Sequence, residues 1–349
     1  MVELRRERRL KYFRTFVMIA IFSVVFVFSS SGVLSNKSGS ASKWMYRTIW
    51  VTKDEPPESK LATIAVVRVN GVIIGDPLAG DTLSTGLFGT ETNMVARLRN
   101  QLIKIAKEKK NGTHIATLVL YIDSPGGTVS ASDEIFKLVR GWKTEHGVRV
   151  VAYLSTVAAS GGYYIAQATD EIVANETTIT GSIGVIISSM NFSELARRFG
   201  IGIDTIKSGK YKDMGSSFRT MSADEKKIFQ ELINESFASF VTVVEEGRKG
   251  KMTRQEILKA ADGRIYTGKQ AKTLKLVDDT ASFDTLVLKE TGRIVKADSR
   301  YEGAKIMIYH QTTSFFDRLF STLRVNLADF LPQELKKEFE LLYLWPAGV

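Results

Sequence analysis

The chain is 349 residues long, 44% apolar and 25% charged, with no cysteine and a formal net charge of +10. That length holds one large domain or two modest ones around a real core, and the missing cysteines exclude disulfides and thiolate catalysis. The charge does not point to nucleic acid. Arg5, Arg6, Arg8, Arg9, Lys11 and Arg14, set against Glu3 and Glu7, supply +4 of it before residue 16. The rest lies in segments such as Lys104 to Lys110, without the interleaved aromatics of a nucleic-acid surface.

The basic tail, residues 1–15, runs into FVMIAIFSVVFVFSSSGVL, Phe16 to Leu34, which carries no charge. Nineteen helical residues rise about 28 Å, enough to cross the hydrocarbon core of a bilayer. The positive-inside rule then keeps the tail in the cytoplasm and places the chain beyond Leu34 on the far side. A cleaved signal peptide is the rival reading; its apolar run is normally shorter and ends at an Ala-x-Ala-like site. Residues 35–60, with Ser, Gly, Lys and Pro56-Pro57, read as a linker.

From residue 61 to about 300 the pattern is that of a folded domain. IAVVRVNGVIIG (Ile64 to Gly75) predicts one or two strands about an Asn70-Gly71 turn. Met94, Leu98, Leu102 and Ile105 recur at helical spacing within residues 93–109. Ile115 to Asp123 reads as a buried strand, Thr128 to Glu145 as a helix and Val148 to Leu154 as a second strand. Next come a short helix from about Ser160 to Ala168, a strand at Glu171 to Asn175, and helices over 223–248 and 253–261. Alternation of this kind predicts an α/β fold of stacked βα units with a mostly parallel sheet.

Function in such sheets gathers at the carboxyl ends of strands. Three Gly/Ser-rich turns fall there: Asp123 to Gly127 (DSPGG), Ser155 to Gly162 ending in AASGG, and Thr180 to Gly184 (TGSIG). Ser160, followed by Gly161-Gly162, sits where a strand gives way to a helix, the way a hydrolase presents a nucleophile. A serine hydroxyl needs a base beside it. None of the three histidines, His114, His146 and His310, lies in a catalytic setting. A lysine serves instead if desolvation keeps it neutral; SGKYKDMGSSFR (Ser208 to Arg219) offers two, Lys210 and Lys212.

The ordered set YIDSPGG, VAASGGYYIA, TGSIGVI, SGKYKD and DGRIYTGKQA resembles the signal peptide peptidase A family over about Ile64 to Asp278. Those are membrane-anchored serine-lysine peptidases with a ClpP/crotonase-like fold. The resemblance implies Ser160 as nucleophile and Lys212 as general base, with Lys210 the alternative. It implies Ser182 as the hydroxyl that orients the lysine, and the amides of Gly127 and Gly161 as the oxyanion hole. It further implies signal peptides and other apolar peptides as substrates, a homo-oligomeric ring, and no metal, nucleotide or other cofactor. The location implied is single-pass in the bacterial inner membrane, with the catalytic domain outside the cytoplasm. Two other classes share the superfold: acyl-CoA enzymes of crotonase type, and a membrane scaffold that has lost catalysis. The aromatic- and leucine-rich residues 301–349 are expected as a C-terminal extension that packs between subunits, lies on the membrane or completes the core.

Overall fold

The computed structural model describes residues 43–50, 56–75 and 93–310. The tail, the 16–34 apolar run and residues 311–349 lie outside the described residues, and among those described no helix is long and apolar enough to cross a membrane. Residues 44–309 form one compact unit; the other, 1–43 with 310–349, falls almost wholly outside the described residues.

Nine strands, among the described residues, make a single sheet. They are β1 (Lys43–Trp50), β2 (Leu61–Asn70), β3 (Ile115–Ser124), β4 (Arg149–Ala159), β5 (Glu171–Ala174), β6 (Ile179–Gly181), β7 (Ile265–Thr267), β8 (Asp279–Thr280) and β9 (Gly303–His310). The main order is β1-β9-β2-β3-β4-β5-β8, with β6 attached to β4 and β7 to β6. Pairs β2/β9, β2/β3, β3/β4, β4/β5, β4/β6 and β5/β8 are parallel, and β6/β7 alone of the recorded registers is antiparallel. The fold is thus the α/β type with a mostly parallel sheet. The sheet reaches past the 61–300 body: β1 lies in the segment that reads as linker, and β9 in the C-terminal extension.

The helices are α1 (Met94–Lys110), α2 (Val129–His146), α3 (Gly161–Ala166), α4 (Ser193–Arg198), α5 (Ala223–Gly247), α6 (Arg254–Ala260), α7 (Gly268–Thr273) and α8 (Phe283–Ala297). Their starts are written in short polar side chains. Asn93 Oδ1 accepts the Ala96 N–H at 2.8 Å, and Ser222/Glu225, Thr253/Glu256 and Thr267/Gln270 form reciprocal capping boxes. Gly147 ends α2 at φ +60°, the left-handed cap that glycine adopts without penalty.

Successive side chains of a strand leave on opposite faces, and both faces of this sheet are covered. Val67, Val69, Leu118, Leu120 and Leu154 pack with Leu98, Ile135, Tyr163 and Val244 of α1, α2, α3 and α5 in the larger core. Ile64, Val66, Val119 and Val151 point the other way, onto Leu286, Val287 and Ile294 of α8. Each fully buried aliphatic side chain contributes about 1.5–3 kcal/mol. A buried ion pair ties α5 to the sheet. Arg248, 1% exposed, donates from Nη1 and Nη2 to the two oxygens of Asp278 at 3.0 and 2.8 Å, and Asp278 also accepts the Ile172 N–H at 2.8 Å.

Strand β4 is longer than its apolar pattern predicts. Up to Leu154 it pairs with β5; from Val157 to Ala159 it pairs with β6 instead. The exchange is stitched by side chains. Asp123 Oδ1 accepts the Val157 N–H at 3.1 Å, Thr178 Oγ1 donates to Leu154 O at 2.9 Å, and Thr180 Oγ1 donates to Ala158 O at 2.6 Å. These bonds let a strand of small residues run on to the residue before Ser160.

Candidate active site

Ser160 is the single residue between the end of β4 and the start of α3, with φ +52° and ψ −119°. A non-glycine residue in that region costs about 1–3 kcal/mol and persists only where its surroundings dictate it. Here the surroundings do. Its N–H donates to Gly181 O at 2.9 Å, and its carbonyl accepts the Tyr164 N–H at 2.9 Å. The backbone reverses sharply, so the half-buried side chain stands at the strand's carboxyl end rather than in the core.

The DSPGG turn packs directly against it. Gly126 has φ +101°, and a Cβ there would lie 2.7 Å from Gly161 N and 2.9 Å from Ser160 Cβ. A Cβ on Gly161 would overlap Ser132 Oγ and come within 3.3 Å of Gly127 N. The two glycine-rich turns therefore touch backbone to backbone, which no side chain at either position permits. Gly126 O and Thr128 N–H both bond Ile73, each at 2.8 Å. In a parallel bridge the residue between them, Gly127, turns its own N–H away from that partner. Gly161 is the first residue of α3, so its N–H has no acceptor within the helix. The amides of Gly127 and Gly161 thus lie close together where the DSPGG turn packs on the Ser160 turn.

Ser182 lies on the same edge. It follows Gly181, the residue paired with Ala159, takes φ +49°, and donates its N–H to Arg264 O at 2.8 Å. The structure therefore brings together Ser160, Gly161, Gly127 and Ser182.

Lys212 is elsewhere on the surface, in a turn in which its N–H donates to Gly209 O at 3.2 Å; it is exposed and does not line the cavity beside Ser160. Its neighbours are engaged. Lys207 Nζ lies 2.6 Å from Asp213 Oδ1, and Lys210 Nζ lies 2.6 Å from Asp224 Oδ2, a bond that raises the Lys210 pKa above its ordinary value. No carboxylate pairs with Lys212 among the described residues. The turn itself is clamped. Arg219 donates to both oxygens of Asp213 at 2.9 Å and to the carboxylate of Glu225, the capping residue of α5. The Arg219 guanidinium and the Ser222 N–H pull the Glu225 carboxyl down to about 2.

Residues that the sequence reading gave no role complete the surroundings of Ser160. A cavity of about 580 Å3 opens beside it, bounded by Ser132 and Asp133 of α2, Tyr164 of α3, and Glu235 and Phe240 of α5. Tyr164 OH donates to Asp133 Oδ1 at 2.9 Å; burial and the adjacent carboxylate push the phenol well above its usual range. The paired tyrosines of SGGYYIA were the available signal. Tyr163 OH is spent on Leu276 O at 2.7 Å in the core, whereas Tyr164 faces the cavity. Among the described residues no group of three or more His, Asp or Glu is placed to hold a metal.

A strained serine between a strand and a helix, with glycine-rich turns packed beside it, is the arrangement by which many serine hydrolases present a nucleophile. Residues 143–293 match the Peptidase family S49 model. A protein of Enterococcus faecium that carries the name signal peptide peptidase SppA is 36% identical over 72% of this chain and 68% of its own length. A Synechocystis sp. protein named as a protease is 42% identical over 50% of this chain and 61% of its own. The chloroplastic serine protease SPPA of Arabidopsis thaliana is 31% identical over 57% of this chain and 29% of its own. The chain belongs to the S49 peptidase family, of SppA type. The matched region spans less than two thirds of the Synechocystis and Arabidopsis relatives.

Proposed function

We propose that the chain is a membrane-anchored serine endopeptidase that cleaves residual signal peptides and other apolar peptides with a Ser160–Lys212 dyad. The observation that carries the reading is Ser160 itself, held at φ +52° with the DSPGG turn packed against it. Lysine in its neutral form takes the Ser160 proton as Oγ attacks the scissile carbonyl, and the two amides hold the oxyanion. The lysinium protonates the leaving amine; water, deprotonated by the same lysine, then releases the acyl group from Ser160.

Lys212 is preferred to Lys210 because a base has to be free of the carboxylate that keeps Lys210 charged. A base role requires a lysine taken out of water, and so another surface over it. The segment between Ser182 and Lys212 supports a second copy as that surface. Ile186 (85% exposed), Met190, Phe199 and Ile206 are exposed apolar side chains in that segment, available to a partner surface. Association would desolvate the lysine and bring it to a serine. Residues 16–34 serve as the anchor in this reading, 1–15 as the cytoplasmic tail and 61–300 as the exported peptidase domain.

The test is hydrolysis of an apolar fluorogenic peptide, with labelling of Ser160 by a fluorophosphonate, across a protein dilution series. Labelling at Ser160 and activity that falls on dilution below the dissociation constant of the assembly support the reading. Cleavage by Ser160→Ala at the wild-type rate refutes it. A reporter fused after residue 60 checks the topology and should be active only when exported.

A further inference from the structure

Gly126 and Gly127 are the part of the Ser160 surroundings with the most backbone freedom, since a residue without Cβ reaches positive and negative φ alike. Gly126 takes φ +101°, and hydrogen bonds on both sides hold it there. Its carbonyl accepts the Ile73 N–H at 2.8 Å, which fixes the peptide between Gly126 and Gly127. A trans peptide sets its N–H opposite its carbonyl, so the Gly127 N–H is aimed away from Ile73. The preceding peptide is held by a side chain: the Gly126 N–H donates to Ser124 Oγ at 3.1 Å.

Ser124 is fully buried, and its hydroxyl is used twice. Besides accepting from Gly126, it donates to Gly71 O at 2.6 Å. Gly71 in turn donates its N–H to Asp123 O at 2.9 Å, so the hydroxyl closes a link between the end of β2 and the turn. Among the described residues no other side chain bonds the backbone of Gly126 or Gly127. The Ser124 carbonyl meets the other wall of the site: a Cβ on Gly162, in the first turn of α3, would lie 2.9 Å from it. Ser124 therefore sits between the turn glycines and the helix that follows Ser160. Without its hydroxyl the buried Gly126 N–H loses its acceptor, and a glycine is the residue that rotates most readily to find another.

We infer that Ser124 is a positioning residue: its hydroxyl fixes the Gly126-Gly127 turn so that the Gly127 amide stays in register with Ser160. The inference rests on the proposed reading of Ser160 as nucleophile and Gly127 as an oxyanion donor. A misplacement of about 1 Å in a reacting constellation costs on the order of 10^2-fold in rate. An absent oxyanion donor costs about 10^2- to 10^3-fold in kcat. Loss of the Ser124 hydroxyl displaces the amide without removing it, so its effect falls below those limits.

The experiment compares wild type, Ser124→Ala and Thr291→Val as full-length proteins in detergent. Thr291 is as buried as Ser124, and its hydroxyl donates to Val287 O at 2.8 Å within α8, outside the site. It reports what the loss of a buried hydroxyl does to the fold alone. We expect kcat of Ser124→Ala on an apolar fluorogenic peptide to fall about 30-fold, with KM within about twofold of wild type. A peptide aldehyde, whose adduct with Ser160 places an oxygen where the oxyanion forms, should bind more weakly by about the same factor. Thr291→Val should melt at a lower temperature and keep its kcat. A kcat within about twofold of wild type for Ser124→Ala overturns the inference, as does undiminished aldehyde affinity or an equal kcat loss in Thr291→Val. Should Ser124→Ala fail to fold, Ser124→Cys, which fills the space with a weaker donor and acceptor, takes its place in the same assays. If wild type neither cuts the peptide nor reacts with a fluorophosphonate at Ser160, the nucleophile reading falls, and this inference with it.

Discussion

From Ala158 to Thr169 every residue except Ser160 is buried, whereas from Ile186 to Lys212 the only buried residue is Ala196. The first region is finished within one chain. Strand pairing to β6, the DSPGG turn and the packed α3 hold the serine from all sides. The second is fixed mainly at its end, by the Asp213–Arg219–Glu225 clamp, and presents bare apolar side chains along its length. A nucleophile needs geometry, which covalent continuity and core packing supply readily. A neutral lysine needs dryness, which an exposed turn obtains only from a covering surface. The contrast places the assembly-dependent part of the proposed chemistry on the lysine side.

The contrast breaks first at its two ends. Ser160→Ala should lower hydrolysis by about 10^3-fold or more with an unaltered circular dichroism spectrum. Lys212→Ala should cost a similar factor, and Lys210→Ala less than about threefold, since Lys210 is committed to Asp224; equal losses in steady-state assays would remove the preference for Lys212. Gly126→Ala comes next. Its methyl group would press on Gly161 N at a φ of +101°, so kcat should fall about 10^2-fold, the scale of a lost oxyanion donor, with a stability loss of about 1–3 kcal/mol by denaturant titration.

Smaller effects sharpen the lysine side. Arg219→Ala releases the turn that carries Lys212 and should lower kcat about tenfold while the thermal transition of the main core stays in place, because the clamp lies outside that core. The clamp also has an acid limit. The Glu225 carboxyl titrates at about 2 in the folded chain and near 4.3 when unfolded, so its contribution is complete above the unfolded value and disappears as pH falls toward 2. Amide exchange in residues 207–219, after correction for the intrinsic pH dependence, should therefore lose protection between about pH 4 and 2 and keep it at neutral pH.

Much of the first region was legible in the sequence. A strand, a small-residue turn with Ser160 and a glycine pair, then a short apolar helix, is a local pattern, and local patterns are what periodicity reads. What it missed came from partners distant in the chain. Residues Ser155 to Ala159 carry no apolar alternation, yet they continue β4 because β6, Thr178 and Thr180 take over the pairing. The residues alone offered Lys210 and Lys212, and the family resemblance implied Lys212; that Lys210 is paired with Asp224, at the start of α5, could not be read from either. Glu235 gave no signal at all, since nothing in the pattern of α5 says that one turn of it overlooks Ser160.

The conformation of Ser160 is also a debit on the stability of the whole protein. A φ of +52° with ψ −119° is the mirror image of an ordinary extended residue, forbidding to any L side chain and open to glycine. Replacing the serine by alanine removes the chemistry and keeps the strain; replacing it by glycine removes both. Ser160→Gly should therefore melt higher than Ser160→Ala, by about 2–4 °C per kcal/mol released. On that scale the difference in melting between the two variants reads out the strain stored at this one backbone position.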